Sequence, residues 1–340
     1  MNGEQPLSER LDLSRNFLQT SGWGTANRAF LAGDASDRSY DRLLQNGETA
    51  VLMDAPPGKG DDPADFIRIA RYLRKIGLSA PRIMAEDLAN GFLLLEDLGD
   101  DTFARLIQSD PTLTNTLYGG ATDVLLHLQA QPAPPGLPDL SALDWAGAAC
   151  FALDWYRFAT TGDRVSTTDF RNALAEALSR HADGPRVLIL RDYHAENLLW
   201  LPSRPGLAQV GLLDFQLAQM GQPGYDLVSL MQDARRDVSV ETESTMVRRF
   251  VNATGATDFS ASYAVLGAQR ALRILGIFAR LCLIGGKPGY LPLMPRVWGH
   301  LQRNLQHPAL AAFANLCAEL LPEPTPEVLA RIGEQCSPFP

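Results

Sequence analysis

The sequence predicts an α+β chain in two lobes, a small antiparallel sheet first and a mainly helical remainder after it. Short apolar runs punctuated by Gly, Asp and Pro fill the stretch up to Asp97, whereas apolar residues at helical spacing dominate beyond it. The length of 340 residues, with 46% of them hydrophobic, supplies material for about two domains at ~150 residues each. The expected division is 1–97 and 98–340.

Residues 7–20 open the chain as a helix, because Leu7, Leu11, Leu13, Phe17 and Leu18 share one face. Phe30–Leu43 reads as strand, small-residue turn and strand, and Ala50–Ala55 as a third strand. A helix over about Pro63–Ile76 follows, then strands near Arg82–Ala85 and Gly91–Leu98. Beyond Asp97 helices are expected over 101–108, 112–130, 142–160 and 167–183. Two apolar runs, Val187–Leu190 and Gln209–Leu213, then flank a polar loop as strands. Further helices cover 225–236, 240–254, 258–284, 292–306 and 308–320. Pro132, Pro134, Pro135 and Pro138 mark a connection, since helix interiors exclude proline. No internal repeat and no low-complexity tract is evident in the sequence.

Composition narrows the function. A formal net charge of -9 offers no basic stripe for nucleic acid. No apolar run approaches the ~20 residues of a membrane span. The N-terminus is neither basic nor apolar, so a cytoplasmic protein is expected. Cys150, Cys282, Cys317 and Cys336 are too sparse for a disulfide framework and too far apart for a metal motif, which predicts cysteines that are reduced, buried or incidental.

The polar loop carries the chemistry. Leu190-Arg191-Asp192-Tyr193-His194-Ala195-Glu196-Asn197 and the later Leu213-Asp214-Phe215-Gln216 place an Asp, an Asn and a second Asp at strand ends. Phosphoryl transfer needs one carboxylate to orient and deprotonate an acceptor hydroxyl, and oxygen ligands to hold magnesium against the phosphates. Asp192 suits the first task, Asn197 and Asp214 the second. The spacing resembles the protein-kinase pattern H-R-D-x-x-x-x-N with its later D-F-G, and more closely the H-G-D-L-H-x-x-N loop of aminoglycoside phosphotransferases. Asp192, His194 and Asn197 match the latter, while Leu190 stands where that family often has His. Together with the element order, this predicts a bilobal protein-kinase-like fold that uses ATP and Mg2+.

On the nucleotide side, Gly33-Asp34-Ala35-Ser36 joins two strands with residues small enough for backbone N–H groups to approach phosphate oxygens. Gly33 and Ser36 are the candidates there, with Arg38 or Arg42 adding charge. Glu96 and Leu98, at the end of an apolar strand, are candidates for main-chain contacts to adenine. A protein kinase carries a lysine on its third strand, paired with a helix Glu. Here Ala50-Val51-Leu52-Met53 has none, and helix 63–76 offers Arg68, Arg71 and Arg74 instead. An arginine is expected to supply the missing charge.

The resemblance then becomes specific. Gly33-Asp34-Ala35-Ser36, Leu52-Met53-Asp54-Ala55-Pro56-Pro57, Gly91–Gly99, Arg191-Asp192-Tyr193-His194 and Gly286-Lys287-Pro288-Gly289-Tyr290-Leu291 are similar to the anomeric N-acetylmuramate/N-acetylglucosamine kinases of bacterial cell-wall recycling. These belong to the aminoglycoside phosphotransferase superfamily, and the similarity runs from about Leu11 to Leu320. It implies Met at the third-strand lysine position, and ATP-dependent phosphorylation of the C1 hydroxyl of one or both sugars. His194, Arg270, Lys287, Tyr290, Arg296 and Trp298 are the acceptor candidates, a cation for the lactyl carboxylate of muramate and an aromatic ring for the sugar face. Gln269 and Arg273 join them on the same helix. Asp226 is expected to prop the catalytic loop. Two rivals remain: another small-molecule kinase of this superfamily, and a nucleotide-binding pseudokinase. Cationic acceptors such as aminoglycosides would want carboxylates where this chain has bases, and a pure binder has no need of Asp192, Asn197 and Asp214 together.

Overall fold

The computed structural model describes residues 7–33 and 38–336. In chain order the elements are α1 (Leu7–Thr20), β1 (Asn27–Gly33), β2 (Ser39–Gln45), β3 (Glu48–Asp54), α2 (Pro63–Lys75), β4 (Ile83–Asp87), β5 (Phe92–Glu96), α3 (Phe103–Ser109) and α4 (Thr114–Gln129). There follow α5 (Ala142–Ala149), a π-helical turn (Ala152–Arg157), α6 (Phe158–Thr161), α7 (Thr168–His181), β6 (Val187–Ile189), β7 (Leu198–Trp200), β8 (Val210–Leu212) and β9 (Gln219–Gly221). The chain closes with α8 (Tyr225–Met231), α9 (Val240–Thr254), α10 (Phe259–Leu283), α11 (Met294–Leu305), α12 (Ala311–Leu320) and α13 (Pro326–Glu334). The α+β expectation holds: one antiparallel sheet leads and helices dominate the rest.

Two compact units result. One comprises 1–124 with 195–218, the other 125–194 with 219–340.

The first unit is built on a five-stranded sheet of order β1-β2-β3-β5-β4, antiparallel throughout. Asn46 and Gly47, both at positive φ (54° and 83°), close the β2–β3 hairpin with Gln45 opposite Glu48, the geometry that two-residue hairpins need. Ala50 to Met53 are buried, which identifies β3 as the central strand. Phe17, Leu18 and Trp23 at the end of α1 and just beyond it pack on Leu43, Leu52, Phe92 and Leu94. On α2, Asp62 caps the N-terminus by accepting from the Ala64 N–H, Pro63 occupies the first turn, and Phe66, Ile67, Ile69, Ala70 and Leu73 form the buried stripe. Phe66 stacks on Phe215 at 4.9 Å, tying α2 to the segment that follows β8. The β7–β8 hairpin joins this unit through bridges Ser79–Gly211 and Thr102–Leu199.

The second unit wraps α10. Its buried residues, among them Val265, Leu266, Leu272, Leu275 and Phe278, meet α5, α7, α11 and α12 in one hydrophobic cluster. A single helix over 142–160 was expected from the sequence. The structure instead breaks it into α5, the π turn and α6. The break faces Gly276 of α10, where an added Cβ would overlap the Phe151 backbone, so the two backbones meet more closely than any side chain allows. α8 also stops at Met231 rather than running to 236, because the next residues are drawn into hydrogen bonds described below. The strands β7 and β9 and helix α13 had not been foreseen. Cys282 and Cys336 are joined as a disulfide, with Cα atoms 4.9 Å apart, which corrects the expectation of reduced, buried or incidental cysteines for this pair. Cys150 and Cys317 are free and buried. Among the described residues no helix is long and apolar enough to cross a membrane.

Candidate active site

In the first unit the site grows from the β7–β8 hairpin. Asn197 directly precedes β7 and Asp214 lies two residues beyond β8, so strand pairing of Leu198 with Leu212 brings the two together. The Asn197 Nδ2 is 3.4 Å from the Asp214 Oδ2, and the Leu213 N–H donates to the Asn197 carbonyl at 2.9 Å. Asp214 sits at φ 55°, a left-handed conformation that a non-glycine residue keeps only when its surroundings fix it. Gln216 helps to fix it: its Nε2 donates to the Asp214 Oδ1 at 2.8 Å. Arg38, at 4% exposure, brings its guanidinium to 3.4 Å from the same oxygen and to 3.6 Å from the Asp61 carboxylate.

The other arginines proposed from sequence are occupied elsewhere. Arg42 pairs with Asp97 and Asp100, Arg68 with Asp65, Arg71 with Glu86, and Arg74 reaches Glu96. Met53 is fully buried in β3. Arg38 is therefore the arginine that lies against Asp214. Gly33 ends β1 opposite Ser39. Ser36 lies outside the described residues. The Glu96 side chain accepts from Arg204 at 2.8 Å and from the Arg82 N–H at 3.1 Å, while its own N–H donates to the Arg82 carbonyl. Leu98 follows, half-buried.

In the second unit the loop that carries Asp192 leaves β6. Asp226, fully buried on α8, accepts from the N–H of Leu190 at 2.6 Å and of Arg191 at 2.9 Å. Ser229 donates to the Arg191 carbonyl at 3.2 Å. These bonds hold Arg191 at φ 72° and so set where Asp192 begins. Burial raises the Asp226 carboxyl to about 7, against the two backbone bonds that favour its charge. His194 is buried too, and burial together with the cations Arg235, Arg270 and Arg236 lowers it to about 3, so the ring is neutral at ordinary pH.

The acceptor candidates differ in their surroundings. Arg270 is buried, donates to the Gln232 carbonyl at 3.2 Å, and lies within the electrostatic influence of Asp192, Asp233 and Arg273. Gln269 instead donates to the Trp145 carbonyl. Arg296 makes a two-pronged ion pair with Asp237 and reaches the Ala234 carbonyl, anchoring the segment after α8. That anchoring, with the paired amides of Gln232 and Asn304, explains why α8 ends early. Lys287 is exposed, whereas Tyr290 packs on Phe278 at 5.1 Å and Trp298 lies partly buried against the core. Sequence reading missed Asp61, Gln216, Arg235 and Arg236. The adjacent Arg235-Arg236 pair could have been noticed; nothing local marks Asp61.

The fold is that of the protein-kinase-like enzymes. Residues 28–266 match the phosphotransferase enzyme family, and the chain belongs to that family. Its relatives are more particular. The chain is 38% identical to an N-acetylmuramate/N-acetylglucosamine kinase of Caulobacter vibrioides, over 89% of this chain and 94% of that one. It is 33% identical to the protein of the same name from Pseudomonas aeruginosa, over 88% and 91%. Among solved structures it resembles a ternary complex of streptomycin, ATP and APH(2")-IIa, with TM-score 0.55 and 12% identity over 80% of this chain and 91% of that one. A thermostable APH(4)-Ia mutant bound to ADP and hygromycin B gives TM-score 0.57 and 13% identity over 85% and 98%.

Proposed function

We propose that this protein transfers the γ-phosphoryl group of ATP to the anomeric C1 hydroxyl of N-acetylmuramate, N-acetylglucosamine or both, in the recycling of peptidoglycan. The observation that carries the reading is the pairing of Asn197 with Asp214 beside a buried Arg38, in a chain that is 38% identical to a kinase named for these two sugars. Other small-molecule kinases share the fold, but the relatives' names favour the amino sugars. A pseudokinase is disfavoured by retention of Asp192, Asn197 and Asp214.

The residues suit the groups they would hold. Magnesium takes oxygen ligands, commonly one or two protein groups completed by phosphates and water, and Asn197 with Asp214 offers that set. Arg38 offers a permanently charged fork to phosphate oxygens. Gly33 and Ser36 would contact phosphates, and Glu96 and Leu98 the adenine edge through their main chains. The nucleotide would belong to 1–97 and the acceptor to 98–340. ATP with Mg2+ supplies the transferable group and neutralises its charge; the protein's own part is placement and proton handling.

Asp192 orients the C1 hydroxyl and accepts its proton. A hemiacetal hydroxyl is more acidic than an ordinary alcohol, so the base has modest work and positioning contributes most. Neutral His194 lines the acceptor side. Of the basic candidates Arg270 and Arg273 fit the lactyl carboxylate best, because Arg270 already shares its surroundings with Asp192. Lys287, Tyr290, Arg296 and Trp298 complete the acceptor proposal. A cytoplasmic location follows from the need for ATP.

The test is a transfer assay with ATP, Mg2+ and each free sugar, the phosphorylated carbon being read by NMR. Phosphate at C1 of either sugar is expected. Phosphate at another carbon, or transfer to neither, overturns the assignment.

A further inference from the structure

The missing third-strand lysine leaves a question that the first unit answers with its own side chains. In kinases of this fold a lysine faces the phosphates and an acid on the following helix holds it there. Here Met53, which the resemblance puts in the lysine's place, is buried, and the one acid of α2, Asp65, pairs with Arg68 within the helix. Charge has been moved one strand over. Arg38 stands at the head of β2, its side chain 3% exposed, with the Asp61 carboxylate at 3.6 Å and that of Asp214 at 3.4 Å. Asp61 lies just ahead of the α2 cap Asp62, so the helix start fixes where it sits. Gln216, 6% exposed, closes a ring: its Nε2 is 2.8 Å from Asp214 and 3.4 Å from Asp61.

We infer that Asp61 is the positioning residue for Arg38, and that the Arg38–Asp61 pair takes over the phosphate-binding duty of the absent lysine and its acidic partner. The inference rests on the nucleotide reading given above. A guanidinium this deeply buried is strongly destabilised without an acid beside it, and among the described residues this one has Asp61 and Asp214. The two acids are not equivalent. Asp214 is the residue suited to a magnesium ion, and a divalent cation there would compete with Arg38 for the same carboxylate. Asp61 would still hold the guanidinium with Asp214 engaged by metal. Arginine suits the task, since its planar fork can give one pair of donors to a carboxylate and another to a phosphate. Gln216 couples the two acids, so that Asp61 registers a change at Asp214.

A double-mutant cycle read by calorimetric binding of ADP and of adenosine, both with Mg2+ present, tests the pair. Arg38→Ala should weaken ADP by about tenfold to a hundredfold, the range of one charge-assisted bond, and leave adenosine within about twofold. Asp61→Asn should weaken ADP about three- to tenfold while Arg38 is present, and have no further effect once Arg38 is gone. Equal losses of Asp61→Asn in both backgrounds, or equal losses for ADP and adenosine, would overturn the inference. If Arg38→Ala does not fold, Arg38→Lys keeps the charge but loses the fork, and the same coupling to Asp61→Asn should then shrink; full coupling would count against the pair. Wild-type protein that binds no ADP removes the nucleotide reading itself. Wild-type protein that binds ADP with no coupling between the two positions removes only the pair.

Discussion

Two turns of this molecule each present a carboxylate at or next to a residue at positive φ, and they are held by opposite means. Arg191, at φ 72°, is fixed through its backbone: Asp226 takes its N–H and that of Leu190, and Ser229 takes its carbonyl. Asp214, at φ 55°, is itself the strained residue and is fixed through its side chain by Gln216, Asn197 and Arg38. The difference matches the tasks proposed for them. The proposed base would have to meet its proton at one place, and the backbone that leads into Asp192 is pinned. The proposed metal ligand would have to exchange partners, and Asp214 is held through side chains.

The largest effects should come from removing either carboxylate, and the two removals should differ in kind. Asp192→Asn and Asp214→Asn are each expected to lower turnover ~10²-fold or more, the usual scale for losing preorganised stabilisation. Only Asp214→Asn should also raise the magnesium concentration needed for half-maximal ADP binding. Near wild-type turnover in either variant would remove the kinase assignment. An unchanged magnesium requirement in Asp214→Asn would erase the distinction between the turns.

A smaller effect belongs to the acceptor. Arg270→Gln and Arg273→Ala are expected to weaken N-acetylmuramate more than N-acetylglucosamine, which lacks the lactyl carboxylate. One charge-assisted bond at ~1.5–3 kcal/mol moves the ratio of specificity constants by roughly ten- to a hundredfold. Steady-state kinetics with both sugars gives the ratio. Arg296→Ala should move it less than the changes at 270 and 273, because Arg296 already shares its charge with Asp237. A ratio unchanged in both the 270 and 273 variants transfers the search to Asp154-Trp155-Tyr156 in the π turn.

These expectations also mark how far the sequence could be read. The candidate triplet could be picked out because its spacing is local: Asp192 and Asn197 share one loop, and Asp214 follows one hairpin later, where strand pairing brings it to Asn197. The leading sheet and α10 were legible because alternation and helical period announce them. Arg38 was visible only as one arginine among several; what singles it out is tertiary, since Arg42, Arg68 and Arg71 have acids of their own. Asp61 sits 153 residues before Asp214 and carries no motif. The π turn and the early end of α8 arise from packing against Gly276 and from bonds to Arg270 and Arg296, which no local pattern encodes.

The backbone pin can be tested through pH. Asp226 is raised from 3.8 to about 7 by burial, so the folded protein holds a proton there that the unfolded chain releases near pH 4. Its contribution to stability is thus present at low pH and declines as pH rises from about 4 to about 7. His194 works in the other direction: lowered from 6.5 to about 3, it makes the unfolded chain the better proton binder between those values, and its contribution grows with pH. The two gradients oppose each other in the overlapping window. Asp226→Asn removes the first and leaves the second. Urea midpoints of this variant should therefore improve relative to wild type as pH rises from 4 to 7, even where the variant is the less stable protein. Parallel curves for the two proteins would show that Asp226 does not carry a raised carboxyl.

The smallest effect on binding should come from Met53, and it separates fold from site most cleanly. Met53 lies in β3 between Tyr40 and Leu93 and is fully buried. Met53→Ala leaves a cavity in the central strand and should cost about 2–5 kcal/mol of stability, as truncation of a buried methionine does. Its thioether supplies no charge to a phosphate, so ADP affinity in the folded fraction should stay within about threefold, a shift below the ~1.4 kcal/mol of one decade. Denaturant midpoints and calorimetric ADP binding on the same preparation give both numbers. Loss of ADP affinity on the scale expected for Arg38→Ala, without a matching loss of stability, would mean that β3 still contributes directly to the nucleotide. The charge would then not have moved to Arg38, and the side-chain-held turn around Asp214 would need another source for it.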